Sequence, residues 1–150
     1  MTKKKGKTIM VTPDKQTIAT KLIASIICLE DLYVLLNKKG RTLSYTRLTD
    51  KEGKTKADAD ACTQDICDSN VMMNLGNSCW VDSGAIEAIE NHNGKEFKGL
   101  IFRGEDDAIL NYLTVESTEA RDELALKFNA ALESYYAGKF QQPELAVVFN

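Results

Sequence analysis

The chain has 150 residues and a formal net charge of −3, and 43% of its residues are hydrophobic and 27% charged. This length fits one domain with a sizeable core, and the composition excludes an intrinsically disordered chain. The longest apolar stretch, residues 22–36, is interrupted by Ser25, Glu30 and Asp31, so it is too short and too polar to span a bilayer.

The N-terminus and the cysteines together indicate a cytoplasmic protein. Residues 1–5 carry charge but no apolar stretch of the signal-peptide kind, and no glycine follows Met1 to accept a myristoyl chain. Four cysteines in a cytosolic chain of this size are typical of reduced thiols. Cys28 lies within an apolar run, which predicts that it is buried.

Charge is distributed unevenly along the chain. Lys and Arg counted against Asp and Glu give a net charge of +4 for residues 1–7, +5 for residues 33–56 and −7 for residues 82–123. The molecule should therefore be electrically polarised, and its basic part could approach an anionic surface. The alternative is a solvated charged face with no ligand.

The first half of the chain predicts strands and one long loop. Residues 18–29 suit either a helix or a strand, and we favour a strand over their second half. Leu32–Leu36 and Thr42–Leu48 predict a hairpin that turns at Asn37–Gly40. Residues 50–68 are polar and predict a long loop of the kind that often binds a partner, before an apolar pattern resumes at residues 71–75.

The second half predicts a meander of three strands followed by a helix. The strands are residues 85–90, 97–102 and 108–115, with turns at Asn91–Gly94 and Gly104–Asp107. Ser117 or Thr118 is placed as the N-cap of the helix, and Gly138 as its C-terminal stop. Within the helix, apolar residues recur on one face: Leu124, Phe128, Leu132 and Tyr135.

Domain boundaries follow from this pattern, in which no internal repeat is visible. Residues 1–17 are predicted to be a basic N-terminal extension, residues 18–138 the folded domain, and residues 139–150 a C-terminal tail. The predicted class is α+β and mainly β.

Three stretches resemble the pleckstrin-homology superfamily over about residues 20–136. Tyr33–Leu36 with Thr42–Tyr45 looks like its second and third strands, Ile86–Gly94 with residues 97–102 like its fifth and sixth, and Tyr112–Leu124 like its last strand entering the helix. The resemblance implies a bent antiparallel sheet or barrel of about seven strands, capped by one C-terminal helix. Leu124 stands where many members of the family have tryptophan.

The resemblance also bears on the ligand. Lipid-binding members of the family grip inositol phosphates with a Lys on the first strand and a Lys-x-Arg pair on the second, whereas this chain has Glu30 and Asp31 in the corresponding hairpin. Those acids would repel phosphate. The bases that remain as candidates for weak contact with an anionic membrane or head group are Lys38, Lys39, Arg41, Lys51, Lys54 and Lys56.

Residues 74–83, with Cys79 at their centre, resemble the nucleophile box of ubiquitin-specific and papain-like cysteine proteases. A thiolate nucleophile needs an imidazole within hydrogen-bond reach, and the sole histidine, His92, follows thirteen residues later. At about 1.5 Å per residue a helix would put His92 about 20 Å away, and a strand farther. A buried structural role for Cys79 and Trp80 is favoured over catalysis.

Metal sites are not favoured either. The spacing of Cys62, Cys67, Cys79 and His92 lacks the second close pair of a zinc site. The acids from Asp58 to Asp68 lack the Gly and Glu that a calcium-binding EF-hand loop requires. No phosphate-binding glycine loop and no basic stripe interleaved with aromatic residues is present, so we expect neither a cofactor nor a nucleic-acid partner.

These observations predict a non-enzymatic, cytoplasmic adaptor or scaffold that binds a protein partner and has at most weak contact with anionic phospholipid. A peripheral membrane module is the first alternative. A cysteine hydrolase built on Cys79 is the second.

Overall fold

The computed structural model describes residues 7–95 and 98–145. Two α-helices lie within these ranges, α1 (Lys54–Ser69) and α2 (Thr118–Tyr136). The strands of the same ranges are β1 (Ile9–Val11), β2 (Thr17–Ala19), β3 (Ser25–Leu29), β4 (Leu32–Leu36), β5 (Thr42–Arg47), β6 (Met72–Gly76), β7 (Cys79–Asp82), β8 (Ala88–Asn93), β9 (Lys98–Arg103) and β10 (Ile109–Val115).

The strands form three antiparallel sheets. β1 and β2 make a hairpin, the order β5-β4-β3-β7-β6 makes the largest sheet, and the order β10-β9-β8 makes the third. The predicted α+β, mainly β class with a C-terminal helix is confirmed. The described strands number ten and are divided among these three sheets, and a second helix accompanies the C-terminal one.

Most strands lie where the sequence predicts them. β4 and β5 form the predicted hairpin, and β3 confirms a strand over the second half of residues 18–29. A 3₁₀ turn over residues 105–107 joins β9 to β10, and the side chain of Ser117 accepts the N–H of Ala120 to begin α2. Gly138 has a φ of 79° just beyond α2, which suits a glycine that ends a helix.

The predicted loop over residues 50–68 is wrong, because most of it is α1. The Asp50 carboxylate accepts the N–H groups of Lys54 (2.9 Å) and Thr55 (3.2 Å), which satisfies the first turn of the helix. α1 buries a stripe of three residues, Ala59, Cys62 and Ile66. Two of the three are small, and polar residues surround them, so the stripe gives little apolar periodicity in the sequence.

The predicted turn at Asn91–Gly94 is also wrong, because residues 91–93 belong to β8 and pair with β9, with His92 opposite Gly99. The strand continues because each of these polar residues can stay at the surface of an edge strand. Phe97, predicted to begin the next strand, lies outside the described residues.

Two hydrophobic cores lie on opposite faces of the five-stranded sheet. One lies under α1 and contains Ile26, Leu35 and Ile66, each 0% exposed. The other lies under α2 and contains Phe102 and Phe128, whose rings meet edge to face at 5.3 Å. β6 and β7 contribute side chains to both cores, because successive residues of a strand point to opposite faces of the sheet.

Segments at both ends of the described chain cover the edges of this sheet. Near the N-terminus, Asp14 accepts from Ser44 Oγ (2.7 Å) and the Tyr45 N–H (3.4 Å) at the β5 edge. Burial disfavours ionisation of Asp14, but its hydrogen bonds, including one from Thr12, outweigh burial and hold its pKa below the usual value. The predicted boundary at residue 18 therefore falls inside packed structure, within β2.

At the other edge, the Gln142 side chain takes the place of a neighbouring strand. Its Oε1 accepts the Asn74 N–H (2.8 Å) and its Nε2 donates to the Met72 carbonyl (2.7 Å) on β6. Leu145 is 7% exposed in the core under α2, so residues 139–145, predicted as a tail, pack on the fold. Unpaired strand edges invite pairing with other chains, and these two side chains block it.

The order of elements repeats, although the sequence shows no repeat. Each half runs through a hairpin, a 3₁₀ turn, a three-stranded meander and a helix: β1 to α1 in the first half and β6 to α2 in the second. The 3₁₀ turns at residues 20–22 and 83–85 begin at Ala19 (φ −68°, ψ 127°) and Asp82 (φ −67°, ψ 120°). The two halves therefore share one local backbone path.

A buried amide joins the second meander to the five-stranded sheet. Asn111 on β10 is 2% exposed, and its Nδ2 donates to Ser25 Oγ (3.0 Å) and to the Ile26 carbonyl (3.2 Å) on β3. Its Oδ1 accepts the Tyr112 N–H (2.9 Å). An irregularity between Ile109 and Asn111 in the pairing of β10 with β9 lets Asn111 face β3.

Asn111→Ala should destabilise the fold by about 1 to 3 kcal/mol, because Ser25 and the Ile26 carbonyl lose buried hydrogen-bond partners. Chemical unfolding followed by circular dichroism measures the change. Asn91→Ala, on the exposed part of β8, is the matched control and should cost less than about 0.5 kcal/mol. Equal effects of the two substitutions would contradict a structural role for the buried amide.

Candidate functional site

A basic cavity of about 390 Å³ lies at one end of the five-stranded sheet. Four bases from two segments line it: Lys21, Lys38, Lys39 and Arg41. The other lining residues are Leu22, Ile23, Ala24, Asn37, Asp82, Gly84 and Ala85. Three of the six bases predicted as ligand contacts thus meet in one place.

The turn between β4 and β5 fixes three of these bases. Asn37 Oδ1 accepts the N–H groups of Lys39 and Arg41, both at 3.0 Å, and the Asn37 N–H donates to the Arg41 carbonyl at 2.9 Å. Gly40 has a φ of 78°, which favours glycine in this tight turn. The backbone that carries the bases is therefore held in place before any ligand arrives.

The fourth base comes from the 3₁₀ turn after β2. Lys21 and Leu22 are exposed, whereas the next residue, Ile23, is 0% exposed and anchors the turn in the core under α1. Leu22 is 59% exposed, so an apolar side chain stands among the bases. The sequence gives no signal for this, because Lys21 and Arg41 meet only through the fold.

Two acids reduce the positive charge of the cavity. Lys38 Nζ lies 3.6 Å from Glu105 Oε2 in an exposed ion pair. Asp82 accepts the Gly84 N–H at 3.1 Å, and burial raises the pKa of its carboxyl above the usual value. Lys39 and Arg41 have no ion pair among the residues that the structure describes, which leaves both free for an anionic ligand.

The other predicted bases, Lys51, Lys54 and Lys56, lie beyond the opposite end of β5. That strand has six residues, so at about 3.4 Å per residue the two groups are separated by about 20 Å. Lys56 also pairs with Asp60 at 3.3 Å. The structure therefore divides the six candidates into two surfaces, and one compact ligand cannot contact both.

The acids that argued against lipid binding lie near the second group. The Leu48 N–H donates to the Asp31 carbonyl (2.6 Å), and Arg47 lies 3.9 Å from the Asp31 carboxylate. Of the N-terminal lysines, Lys7 is 3.8 Å from Asp65 on α1, and Lys3, Lys4 and Lys5 lie outside the described residues. The basic cavity is thus the place where described bases converge.

Cys79 is buried on β7, as predicted, and is 4% exposed. Its Sγ accepts the Cys28 N–H (3.4 Å) and contacts the Cys28 carbonyl (3.6 Å), while Trp80 points to the opposite core. Burial raises the pKa of Cys79 above the usual thiol value, which favours the protonated form. Cys28 is half-buried and not fully buried as predicted.

The remaining cysteines and acids lie on α1. Burial raises the pKa of Cys62 and of Cys67 to about 11. The acidic residues weighed as a calcium loop are spread along the helix: Asp58, Asp60, Asp65 and Asp68. Within residues 7–95 and 98–145, no three His, Cys, Asp or Glu side chains are grouped so that they could hold a metal ion.

No family model, curated protein sequence or solved structure matches this chain. Neither described helix has the length and apolar character needed to cross a membrane.

The cysteines should react with iodoacetamide in an order that burial sets. We expect Cys28, which is partly exposed, to be alkylated at least about tenfold faster than Cys62 and Cys79, because the buried thiols react only after local opening. Cys67 is also partly exposed, but a pKa of about 11 leaves it little thiolate, so it should react more slowly than Cys28. Timed alkylation followed by peptide mass spectrometry measures the four rates, and alkylation in denaturant is the control. Fastest labelling of Cys79 would contradict this order and favour the hydrolase alternative.

Proposed function

We propose that this chain is a non-enzymatic adaptor or scaffold module that holds an acidic segment of a protein partner in the basic cavity. The observation that carries the proposal is the convergence of four bases around a cavity of about 390 Å³ beside an exposed leucine. An acidic segment with one apolar side chain is complementary to both features.

The charges favour an anionic ligand of modest size. Lys39 and Arg41 project from a turn that Asn37 holds by two hydrogen bonds, so little conformational freedom of the backbone is lost on binding. Arg41 can make two parallel hydrogen bonds to a carboxylate. Leu22 offers apolar area that a purely electrostatic site lacks, and this favours a peptide over a bare anion.

The thiol chemistry is consistent with a binding role and not with nucleophilic catalysis. Cys79 contacts the backbone of Cys28, and its raised pKa disfavours the thiolate that a hydrolase would need. No disulfide joins the four cysteines, and the cytoplasmic location stays a prediction.

A weak contact with anionic phospholipid is the second candidate function. The same bases extend from the end of the sheet, where a membrane surface could approach them. The distance to the group at Lys51, Lys54 and Lys56 limits the number of bases that act together. A pleckstrin-homology-like origin stays a prediction.

The peptide proposal is tested with a fluorescein-labelled peptide of Glu and Asp residues around one Leu. Lys39→Glu/Arg41→Glu should raise its Kd at least about tenfold, because each reversed charge costs about 1 kcal/mol or more near the site. Fluorescence anisotropy at about 0.15 M salt measures this. Lys51→Glu/Lys54→Glu makes the same change in net charge at the far end of β5 and should change Kd less than about twofold.

Equal losses in the two double variants would mean that the peptide responds only to net charge and would overturn the site. Unchanged binding in Lys39→Glu/Arg41→Glu would do the same.

The phospholipid candidate is tested by sedimentation with phosphatidylcholine vesicles, with and without phosphatidylserine. We expect a minor fraction to bind the phosphatidylserine vesicles at about 0.05 M salt and none at about 0.5 M, because screening removes weak electrostatic attraction. Binding that survives high salt or needs no phosphatidylserine would contradict the candidate. Vesicle binding stronger than peptide binding would favour membrane attachment over peptide binding as the function of this chain.

A further inference from the structure

One strand pairing joins the two halves of the repeat. The corresponding strands with the halves exchanged do not pair. β7, in the second hairpin, pairs with β3 of the first meander, with Ser25 opposite Val81 and Ile26 opposite Trp80. The Asp82 N–H donates to the Ala24 carbonyl at 2.8 Å at the end of this contact. The counterparts of β7 and β3 in the repeat are β2 and β8, and these two strands do not pair.

No strand within residues 7–95 and 98–145 pairs with the outer edge of β2. Ala19 occupies the position in the first half that Asp82 occupies in the second. The N–H of the next residue, Thr20, donates to the Thr8 carbonyl (3.0 Å). Since successive N–H groups of a strand point to opposite sides, the Ala19 N–H points away from β1. The Ala19 N–H has no hydrogen-bond partner in residues 7–95 and 98–145. Among the residues that the structure describes, no side chain hydrogen-bonds to this edge as Asp14 and Gln142 do to the edges of the large sheet.

One face of the same hairpin is apolar and exposed. Ile9 and Val11 on β1 are each 58% exposed. Met72, which occupies the position of Ile9 in the second hairpin, is 3% exposed, because the core under α1 covers that face of β6. The first hairpin therefore lacks the cover that its counterpart receives from a neighbouring meander and helix.

The outer edge of β8 is the complementary element. β8 ends the order β10-β9-β8, and no strand of the described chain pairs with its outer side. The residue before β8 is bonded as the residue before β3 is: the Glu87 N–H donates to the Arg103 carbonyl and the Ala24 N–H to the Leu36 carbonyl, both at 2.8 Å. The backbone of β8 can thus accept a hairpin in the way that β3 accepts β7.

The two segments of the chain that contain these edges have opposite net charges. Residues 1–21, which contain β1 and β2, have six lysines and one acid, Asp14. Residues 82–123, which contain β8, have eleven acids and four bases. Two copies that bring the first region against the second would attract each other, whereas like regions would repel.

We propose that copies of this chain associate head to tail, with the β2 edge of one copy paired antiparallel to the β8 edge of the next. When β2 pairs with β8 in the register that β7 has on β3, Ala19 lies opposite Glu87 and Thr17 lies opposite Ile89. The meander and α2 of the second copy then cover Ile9 and Val11. Because the two edges differ, a pair of copies leaves one β2 edge and one β8 edge unpaired, so further copies can add and the assembly is an open chain or a closed ring.

Sedimentation velocity of the full chain at about 5 to 200 µM tests this, with two blocked variants. Ala19→Pro removes the outward N–H at a residue whose φ is already −68°, a value that proline adopts, so the fold should be kept. Glu87→Lys reverses a charge at the exposed residue just before β8. Glu52→Lys makes the same change in charge at an exposed position away from both edges.

We expect the unmodified chain and Glu52→Lys to associate reversibly, and less at high salt. Each blocked variant should associate at least about tenfold more weakly, and an equimolar mixture of Ala19→Pro and Glu87→Lys should form a dimer through the two intact edges. A chain that stays monomeric at the highest concentration would overturn the proposal. Association unaffected by Ala19→Pro in a folded variant would overturn it too, as would a mixture that forms no dimer.

Glu87→Lys keeps the test decisive if Ala19→Pro unfolds, since it alone should weaken association while Glu52→Lys does not.

Discussion

A buried amide connects the three-stranded sheet to the five-stranded sheet, because Asn111 on β10 donates to Ser25 and to the Ile26 carbonyl on β3. Ser25 in turn donates to the Trp80 carbonyl on β7 (3.3 Å), so one chain of hydrogen bonds ties β10, β3 and β7. Polar groups removed from water must find partners, and this requirement fixes how the strands meet. The core under α2 lies at that junction, because β10 contributes Leu110 to it.

The two halves of the repeat have different surroundings. Both halves use the same order of elements, but the second hairpin lies between the two cores and the first has one face in solvent. The basic cavity lies where the 3₁₀ turns of both halves come close, since Leu22 and Ala85 both line it. Within the described residues, one set of elements thus produces a shared cavity and leaves the outer edges of β2 and β8 without a paired strand.

The fold, and not the order of residues in the chain, determines which charged side chains lie close together. Bases that are neighbours in the sequence, from Lys38 to Lys56, separate to the two ends of β5, while Lys21 joins Arg41. The acids of residues 105–107 come close to the same turn, where Glu105 pairs with Lys38. A net charge counted along a segment therefore describes long-range attraction, whereas binding at short range depends on which strands end together.

Local sequence patterns predict the class of the fold, the β4–β5 hairpin and the C-terminal helix with its cap at Ser117 or Thr118, because apolar periodicity, turn residues and capping residues act locally. They also indicate that Cys79 is buried. Tertiary packing, and not a local pattern, identifies residues 54–69 as a helix, because Ala59 and Cys62 are too small to mark an apolar face in the sequence. The grouping of Lys21 with Arg41, the amide junction at Asn111 and the repeat depend on contacts between distant segments. Such contacts leave no local pattern, and packing alone selects them.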